Sequence, residues 1–255
     1  HIVSRRQRQM CIRDRYSGMG GNAPQVLIQE VSKRIYNNEV QCALISGGEV
    51  LQTMISKLKA GKPLDWEDHP GGSPEIVGIN DEGFSSDEKK HFMDLPSNVY
   101  PIFANALRSE KSQSSKEHLK ECSELFSKFS KVAEKNSNSW FPKYRSPEEI
   151  EKVTDSNRLV GFPYTKYLNS MIRVNMASSM IIMSEKLSKE LNISQKKKIY
   201  LHGSCILNDI WNVSKRPKLI ESPAIKKCGE EVLSQAQVSM LSLIHISEPT
   251  RQVPI

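Results

Sequence analysis

Two short segments of this sequence carry residue types that are able to do chemistry. His202-Gly203-Ser204-Cys205 places an imidazole three residues from a thiol, and a thiolate nucleophile needs a nearby base or positive dipole. Residues three apart in a turn rarely reach that geometry, so the alternative is a histidine hydrogen-bonded only to backbone. Gly20-Gly21-Asn22 precedes a predicted helix, whose positive end favours an anion. A plain tight connection is the alternative there, because neither GxGxxG nor GxxxxGK[ST] is present.

The elements that position these segments alternate between helix and strand. Apolar residues at helical spacing predict a helix that starts after Asn22 as N-cap and stops at Asn37-Asn38. Short apolar runs predict strands, the first buried, and cap signals predict two further helices. The strands are expected over residues 41–46, 179–183 and 199–203, and the helices from Ser184-Glu185 to about Leu191 and after Ser222-Pro223. The pattern predicts an α/β protein with an inserted loop-rich subdomain.

That irregular region extends from about residue 51 to residue 158 and is interrupted by prolines. Its best helix covers about residues 116–135, and His118 is expected on the charged, solvent-facing side of it. Residues 78–90 are expected to form an exposed loop. The face of this helix that we expect in the core consists of Leu119, Cys122, Leu125, Phe126, Phe129, Val132 and Ala133.

The remaining histidines and cysteines give no sign of a metal site. His69 and His91 have no second ligand at metal-binding spacing. Cys42, Cys122 and Cys228 lie on apolar faces and are expected to be packing residues.

The composition excludes several classes of protein. Of 255 residues, 38% are hydrophobic and 25% charged, as in ordinary globular proteins, and no apolar run approaches the roughly 18 residues of a membrane helix. Five cysteines without CxxC spacing fit a reducing compartment, so we expect a cytoplasmic protein with no membrane contact.

The ends of the chain explain its apparent basicity. Residues 10–15 (MCIRDR) and 241–246 (LSLIHI) can be encoded by opposite strands of one oligonucleotide, and they resemble a sequencing-library adapter. We therefore expect residues 1–15 and 241–255 to be adapter-derived and residues 16–240 to be an internal fragment. The five Arg and one Asp of residues 1–15 account for four of the seven net positive charges, and residues 241–255 add none, which leaves +3. That excess is too small for a nucleic-acid-binding surface.

Taken together, six stretches of the sequence resemble the thiolase superfamily, in particular its thiolase-like acetyl-CoA acetyltransferase branch, which is related to the sterol-carrier-protein thiolases. No single motif is specific, but all of them follow the family order and cover nearly the whole of residues 16–240. The stretches are residues 20–25 (GGNAPQ), 42–49 (CALISGGE), 95–107 (LPSNVYPIFANAL), 129–141 (FSKVAEKNSNSWF), 157–169 (NRLVGFPYTKYLN) and 201–223 (LHGSCILNDIWNVSKRPKLIESP).

This resemblance implies an incomplete version of the layered αβαβα thiolase fold. Its parts would be the first half in residues 16–50, a loop domain in 51–165, a return to the first half in 166–195 and the start of the second half in 196–240. In thiolases the nucleophilic cysteine begins the helix whose following strand ends in Gly-x-Glu. Here that position is Gly21, which has no nucleophile.

The resemblance also implies a ligand, coenzyme A, which would act as a dissociable substrate and not as a permanently bound cofactor. We expect an acyl-CoA-handling acyltransferase, of which this fragment alone is inactive, and the alternative is a non-catalytic thiolase-fold protein that binds coenzyme A or a partner. A homodimer and a complex with a partner subunit are both left open. The candidate residues are His202 for catalysis and Gly20, Gly21, Asn22, Tyr164, Lys166, Asn169 and Ser170 for coenzyme A.

Overall fold

The computed structural model describes residues 14–18, 20–66, 74–79 and 82–240. Most of the two segments expected to be adapter-derived therefore lies outside the described residues. In chain order the strands are β1 (Arg15–Ser17), β2 (Cys42–Glu49), β3 (Glu75–Val77), β4 (Leu159–Gly161), β5 (Tyr164–Thr165) and β6 (Met176–Met183). The helices are α1 (Ala23–Tyr36), α2 (Leu51–Lys59), α3 (Ser86–Lys90), α4 (Pro96–Glu110), α5 (Ser115–Ala133), α6 (Pro147–Glu151), α7 (Glu185–Glu190) and α8 (Pro223–Ala236).

Strands β2 and β6 form an antiparallel pair that is covered by α1 on one face. The pairing extends from Cys42 opposite Met183 to Glu49 opposite Met176. Successive side chains of a strand point to opposite faces, so Ile45 is buried while Leu44 is 67% exposed. The prediction of a buried strand over residues 41–46 is therefore wrong for one of its two faces, because α1 covers only the other.

Strand β1 pairs in parallel with β3 beside α1. Arg15 stands opposite Glu75 in this pair and also bonds the Glu30 carboxylate of α1 at 3.0 Å. Arg15, the last residue of the expected adapter segment, is thus part of a strand. Just after β3, a Cβ at Gly78 would lie 3.4 Å from Val26 in the first turn of α1.

Helix α5 confirms the expected helix over residues 116–135 but not its expected core face. Its buried residues are His118, Ser123 and Ser127, whereas Phe129 and Val132 are exposed. The Ser127 hydroxyl donates to the Arg145 carbonyl at 2.8 Å, in the chain leading to α6. That polar contact holds the serine-bearing side of α5 inward. His118, on another side of the helix, is buried with its ring 6.3 Å from that of Tyr164, so the prediction of a solvent-facing His118 is wrong.

Two further segments differ from the sequence-based expectation. Residues 199–203 form no strand, and Ile199 is 99% exposed, so the prediction of a strand here is wrong: a short apolar run alone did not provide a pairing partner. Within residues 78–90, α3 replaces part of the expected exposed loop, and Glu88 is buried. A capping box between Ser85 and Glu88 starts this helix.

The sequence-predicted helix starts at Ser184 and Ser222 are confirmed. Each serine side chain accepts a hydrogen bond from the backbone N–H three residues later. Within the described ranges, no helix is both long and apolar enough to cross a membrane.

Candidate functional site

The start of α1 is open and is not capped by a side chain. Asn22 occupies the N-cap position as predicted, yet within the described chain its side chain accepts no capping hydrogen bond. A Cβ at Gly21 would meet no described atom within 4 Å, whereas one at Gly20 would lie 3.3 Å from the Asn22 side-chain oxygen. Helix starts carry partial positive charge. In the first turn of α1, Pro24 has no N–H and the Ala23 N–H donates to the Gly20 carbonyl at 3.1 Å, which leaves the Gln25 N–H as the donor that this turn can offer. This helix start is therefore suited to accept an anion or a polarised carbonyl oxygen.

The topology places this helix start at one particular end of the β2–β6 sheet. Helix α1 packs on β2, and a short connection joins them, so the two elements run antiparallel. Gly20–Asn22 consequently lie at the end of the sheet where β2 finishes at Glu49 and β6 begins at Met176. A shallow depression of about 520 Å³ lies on this part of the sheet, lined by Ser46, Gly47, Gly48, Ala177, Ser178 and Ser179.

Asn175 fixes the chain just before β6 at this sheet end. Its side-chain oxygen accepts from the Thr53 backbone N–H at 3.1 Å, and its amide donates to the Thr53 hydroxyl at 2.7 Å. Its carbonyl accepts from the Trp140 indole N–H at 3.0 Å. Asn175 therefore joins three parts of the chain that are distant in sequence. Sequence reasoning missed this residue, because a single asparagine in an irregular segment gives no periodic signal.

Asn157 organises the segment expected to border the ligand. Its buried side-chain amide donates to the carbonyls of Ile150 and Lys152 at 2.9 Å each, and its oxygen accepts from the Tyr167 N–H at 3.0 Å. The buried Thr165 hydroxyl also donates to Ile150 at 2.7 Å. Residues 157–168 are therefore held against the end of α6.

The side chains of two candidate residues in this segment make contacts within the protein. Tyr164 is partly buried against His118 and Cys122 of α5, and burial raises the pKa of Tyr164 to about 12. The Asn169 amide donates to the Thr165 carbonyl at 2.8 Å. These contacts support a packing role for both side chains.

The other two candidates in this segment face solvent. Lys166 and Ser170 are exposed, and the Lys166 ammonium forms no ion pair with the described residues. The backbone N–H of Lys166 donates to the Arg158 carbonyl at 2.9 Å, so its Cα is fixed while its side chain remains free to turn.

His202 is exposed, and it lies two residues before a contact with the middle of α1. Two residues later, the Ser204 carbonyl accepts from the Gln29 amide at 3.3 Å. Gln29 is eight residues after Gly21, which corresponds to about 12 Å along the helix axis. The partner of Cys205 is the thiol of Cys228, whose hydrogen bond, together with burial, raises the pKa of Cys205. The hypothesis that His202 activates Cys205 therefore has no support in these contacts.

The other cysteines lie away from the start of α1. Cys42 is exposed on β2, so its expected packing role is wrong, while Cys122 and Cys228 are partly buried. Burial raises the pKa of Cys122, which disfavours its thiolate. In the described part of the chain, no three His, Cys, Asp or Glu side chains are grouped to hold a metal ion.

The comparisons with known proteins give a match in structure but none in sequence. No protein-family model and no curated protein matches the sequence. In structure, the chain is similar to a monomeric SCP2-thiolase-like protein type 1 from Mycobacterium smegmatis, with a TM-score of 0.67 and 24% sequence identity. The similarity covers 89% of this chain but 48% of the other, so this chain spans about half the length of that structure. The chain therefore has a thiolase-like fold, as the sequence predicted, while the αβαβα layering and the division into two halves and a loop domain stay predictions.

Proposed function

We propose that this chain is part of an acyl-CoA-handling protein of the thiolase-like class and that the intact protein transfers acyl groups. The thiolase-like fold supports this class, and the open start of α1 is the observation that carries the proposed site. Coenzyme A would bind there as a dissociable ligand. Its thioester oxygen would accept a hydrogen bond from the Gln25 N–H in the first turn of α1.

The depression on the β2–β6 sheet supports an extended ligand next to that helix start. Its lining consists of serine, glycine and alanine, and these small side chains leave space on the sheet for the chain of a thioester. Lys166 would meet a phosphate of coenzyme A as a mobile point charge.

A second candidate, a non-catalytic protein that binds coenzyme A or a partner, is favoured by Gly21. Glycine provides no nucleophile at the start of α1, and Cys205 is paired with Cys228 further along the chain. Under this proposal the fold retains the binding surface but not covalent catalysis.

Calorimetric titration of the 255-residue chain with coenzyme A and acetyl-CoA tests binding. Binding of either ligand, weakened several-fold in Lys166→Ala, supports the proposed site. Lys186→Ala is the matched control, because this exposed lysine lies on α7 and also forms no ion pair with the described residues. The absence of binding to both ligands would reject the acyltransferase and the coenzyme A-binding candidates together.

A cysteine introduced at Gly21 separates the two candidates. In Gly21→Cys the new thiol would lie immediately before the N-cap of α1, and the positive helix end should lower its pKa and speed its acetylation by acetyl-CoA. The control is Gly83→Cys, since Gly83 also has open space but precedes α3, whose first turn is already capped by Ser85. Acyl transfer by the unmodified chain would favour the transferase, while binding without transfer, even in Gly21→Cys, would favour the non-catalytic protein.

A further inference from the structure

The chain around Ser204 lies directly against α8. A Cβ at Gly203 would be 2.9 Å from the Val232 carbonyl oxygen and 3.2 Å from the Gln235 Cβ, so the Gly203 backbone touches the helix. The Ser204 N–H donates to the Gln235 side-chain oxygen at 3.0 Å. These contacts fix the position along the axis of α8 at which residues 203 and 204 lie.

The same contacts bring two cysteines together. From Gly203 to Cys205 an extended chain covers about 7 Å, and from Val232 back to Cys228 the helix covers about 6 Å. A segment running antiparallel to α8 therefore places Cys205 beside Cys228. Further along, the Asp209 carboxylate accepts from the Ala224 N–H near the start of α8 at 3.1 Å, which fixes this antiparallel direction. Cys228, Val232 and Gln235 are four and three residues apart and therefore share one face of α8. Both cysteines are free and partly buried.

We infer that Cys205 and Cys228 form a reversible disulfide and are a thiol–disulfide modification site of this protein. Neither thiol has a role in the proposed acyl-CoA chemistry, so this site is independent of the proposed function. A disulfide requires two sulfur atoms held close together, which the Gly203 and Ser204 contacts with α8 provide.

The oxidant that we propose is a small disulfide such as oxidised glutathione. One protein thiol loses its proton and attacks the sulfur–sulfur bond, which forms a mixed disulfide and releases one small thiolate. The second protein thiol loses its proton, attacks the protein-bound sulfur and releases the second small thiolate. The two protons pass to the released thiolates, and two electrons pass from the protein pair to the small disulfide.

This bond would close a loop, residues 205–228, that is already held by hydrogen bonds within itself and to α3. Within the loop, Asp209 accepts from the Ala224 N–H at the start of α8, and Ser214 donates to the buried Glu88. Just outside it, Ser204 accepts from Gln29 of α1. Oxidation would therefore fix the segment that carries His202 against both α1 and α8.

The test is incubation of the full chain with oxidised glutathione under native conditions, followed by alkylation and peptide mass mapping. We expect loss of two alkylatable thiols, a peptide cross-link between Cys205 and Cys228 and recovery of both thiols with dithiothreitol. Cys205→Ser and Cys228→Ser should each retain a mixed disulfide on the remaining cysteine. Cys42→Ser is the matched control, because it removes an exposed thiol outside the pair. In this variant the alkylatable thiols of Cys205 and Cys228 should still be lost.

Several results would overturn the inference. These are full alkylation of Cys205 and Cys228 after treatment, stable mixed disulfides without a cross-link, or a cross-link to another cysteine or another molecule. A parallel incubation in urea controls for folding, since an unfolded chain pairs its cysteines unselectively. The same distribution of cross-links with and without urea would also reject the site.

Discussion

The side-chain oxygen of Asn157 accepts a hydrogen bond from the backbone N–H of Tyr167 at 3.0 Å and thereby joins the end of α6 to the segment carrying Lys166. The same side chain donates to the carbonyls of Ile150 and Lys152. One buried amide therefore satisfies backbone groups on both sides of this junction.

Replacing Asn157 by Ala should destabilise the protein by about 3 kcal/mol, because several buried backbone groups would lose their partners. Urea denaturation followed by tryptophan fluorescence measures the change. Asn208→Ala is the control, since Asn208 is exposed, and it should change the unfolding free energy little. Equal stability of the two variants would contradict the proposed role of Asn157.

Gly161 should not tolerate a side chain. A Cβ there would be 2.6 Å from the Ser97 carbonyl oxygen and 3.0 Å from Pro101, so Gly161→Ala must push β4 away from α4. We expect a loss of roughly 1–3 kcal/mol in the free energy of unfolding. Gly83→Ala, where the added methyl group meets open space, should remain close to the original stability. The prediction fails if both alanine variants unfold at the same urea concentration.

Glu88 should give the protein a pH-dependent contribution to stability. Its buried carboxylate accepts from the N–H groups of Ser214 and Ser85, and these bonds, Ser214 first, lower the pKa of Glu88 to about 2 from the ordinary value of 4.5. A group whose pKa is lowered by folding stabilises the protein above its unfolded pKa. This contribution is lost as the pH falls from about 4.5 towards about 2.

Glu88→Gln should therefore lower the unfolding free energy by about 2 kcal/mol at neutral pH, because it removes a hydrogen-bonded carboxylate. The difference from the original protein should shrink as the pH falls through that window. Urea titrations across the acidic range measure it, with the exposed Glu82→Gln as the control. A difference that stays constant with pH would show that Glu88 acts through packing alone.

A charge placed at either end of α1 should separate helix stability from ligand binding. Asn22→Asp adds a carboxylate at the uncapped start, where it should stabilise the helix by about 0.5 kcal/mol and weaken coenzyme A binding by occupying the anion site. Asn37→Asp makes the same chemical change at the other end and should slightly destabilise the helix without affecting binding. Thermal unfolding and calorimetry measure the two effects. Equal loss of binding in both variants would indicate a general charge effect.

Local signals in the sequence predicted several elements correctly. Asn37 ends α1 as expected, and Ser184 and Ser222 cap the helices that follow them. Helix α5 lies within two residues of its predicted bounds. Caps and helical periodicity depend on neighbours three or four residues away, so they can be recognised in the sequence without knowledge of tertiary contacts.

The candidate site was predictable only in part. The glycines before α1 gave a visible signal of an open helix start, but Asn157 and Asn175 gave none. Both asparagines act through hydrogen bonds to backbone groups that belong to other parts of the chain. Such partners are specified by the fold and not by the spacing of residues in the sequence.

The sequence by itself therefore determined where the main helices begin and end, and its ordered motifs indicated a thiolase-like fold. Tertiary structure decided which faces are buried: α5 turns Ser123 and Ser127 inward, and Glu88 is enclosed by residues 212–214. It also decided that the segment carrying Cys205 lies along the face of α8 that carries Cys228. The physical reason is that helix formation is satisfied locally, whereas burial and thiol pairing depend on which distant segment supplies the hydrogen bonds and covers the surface.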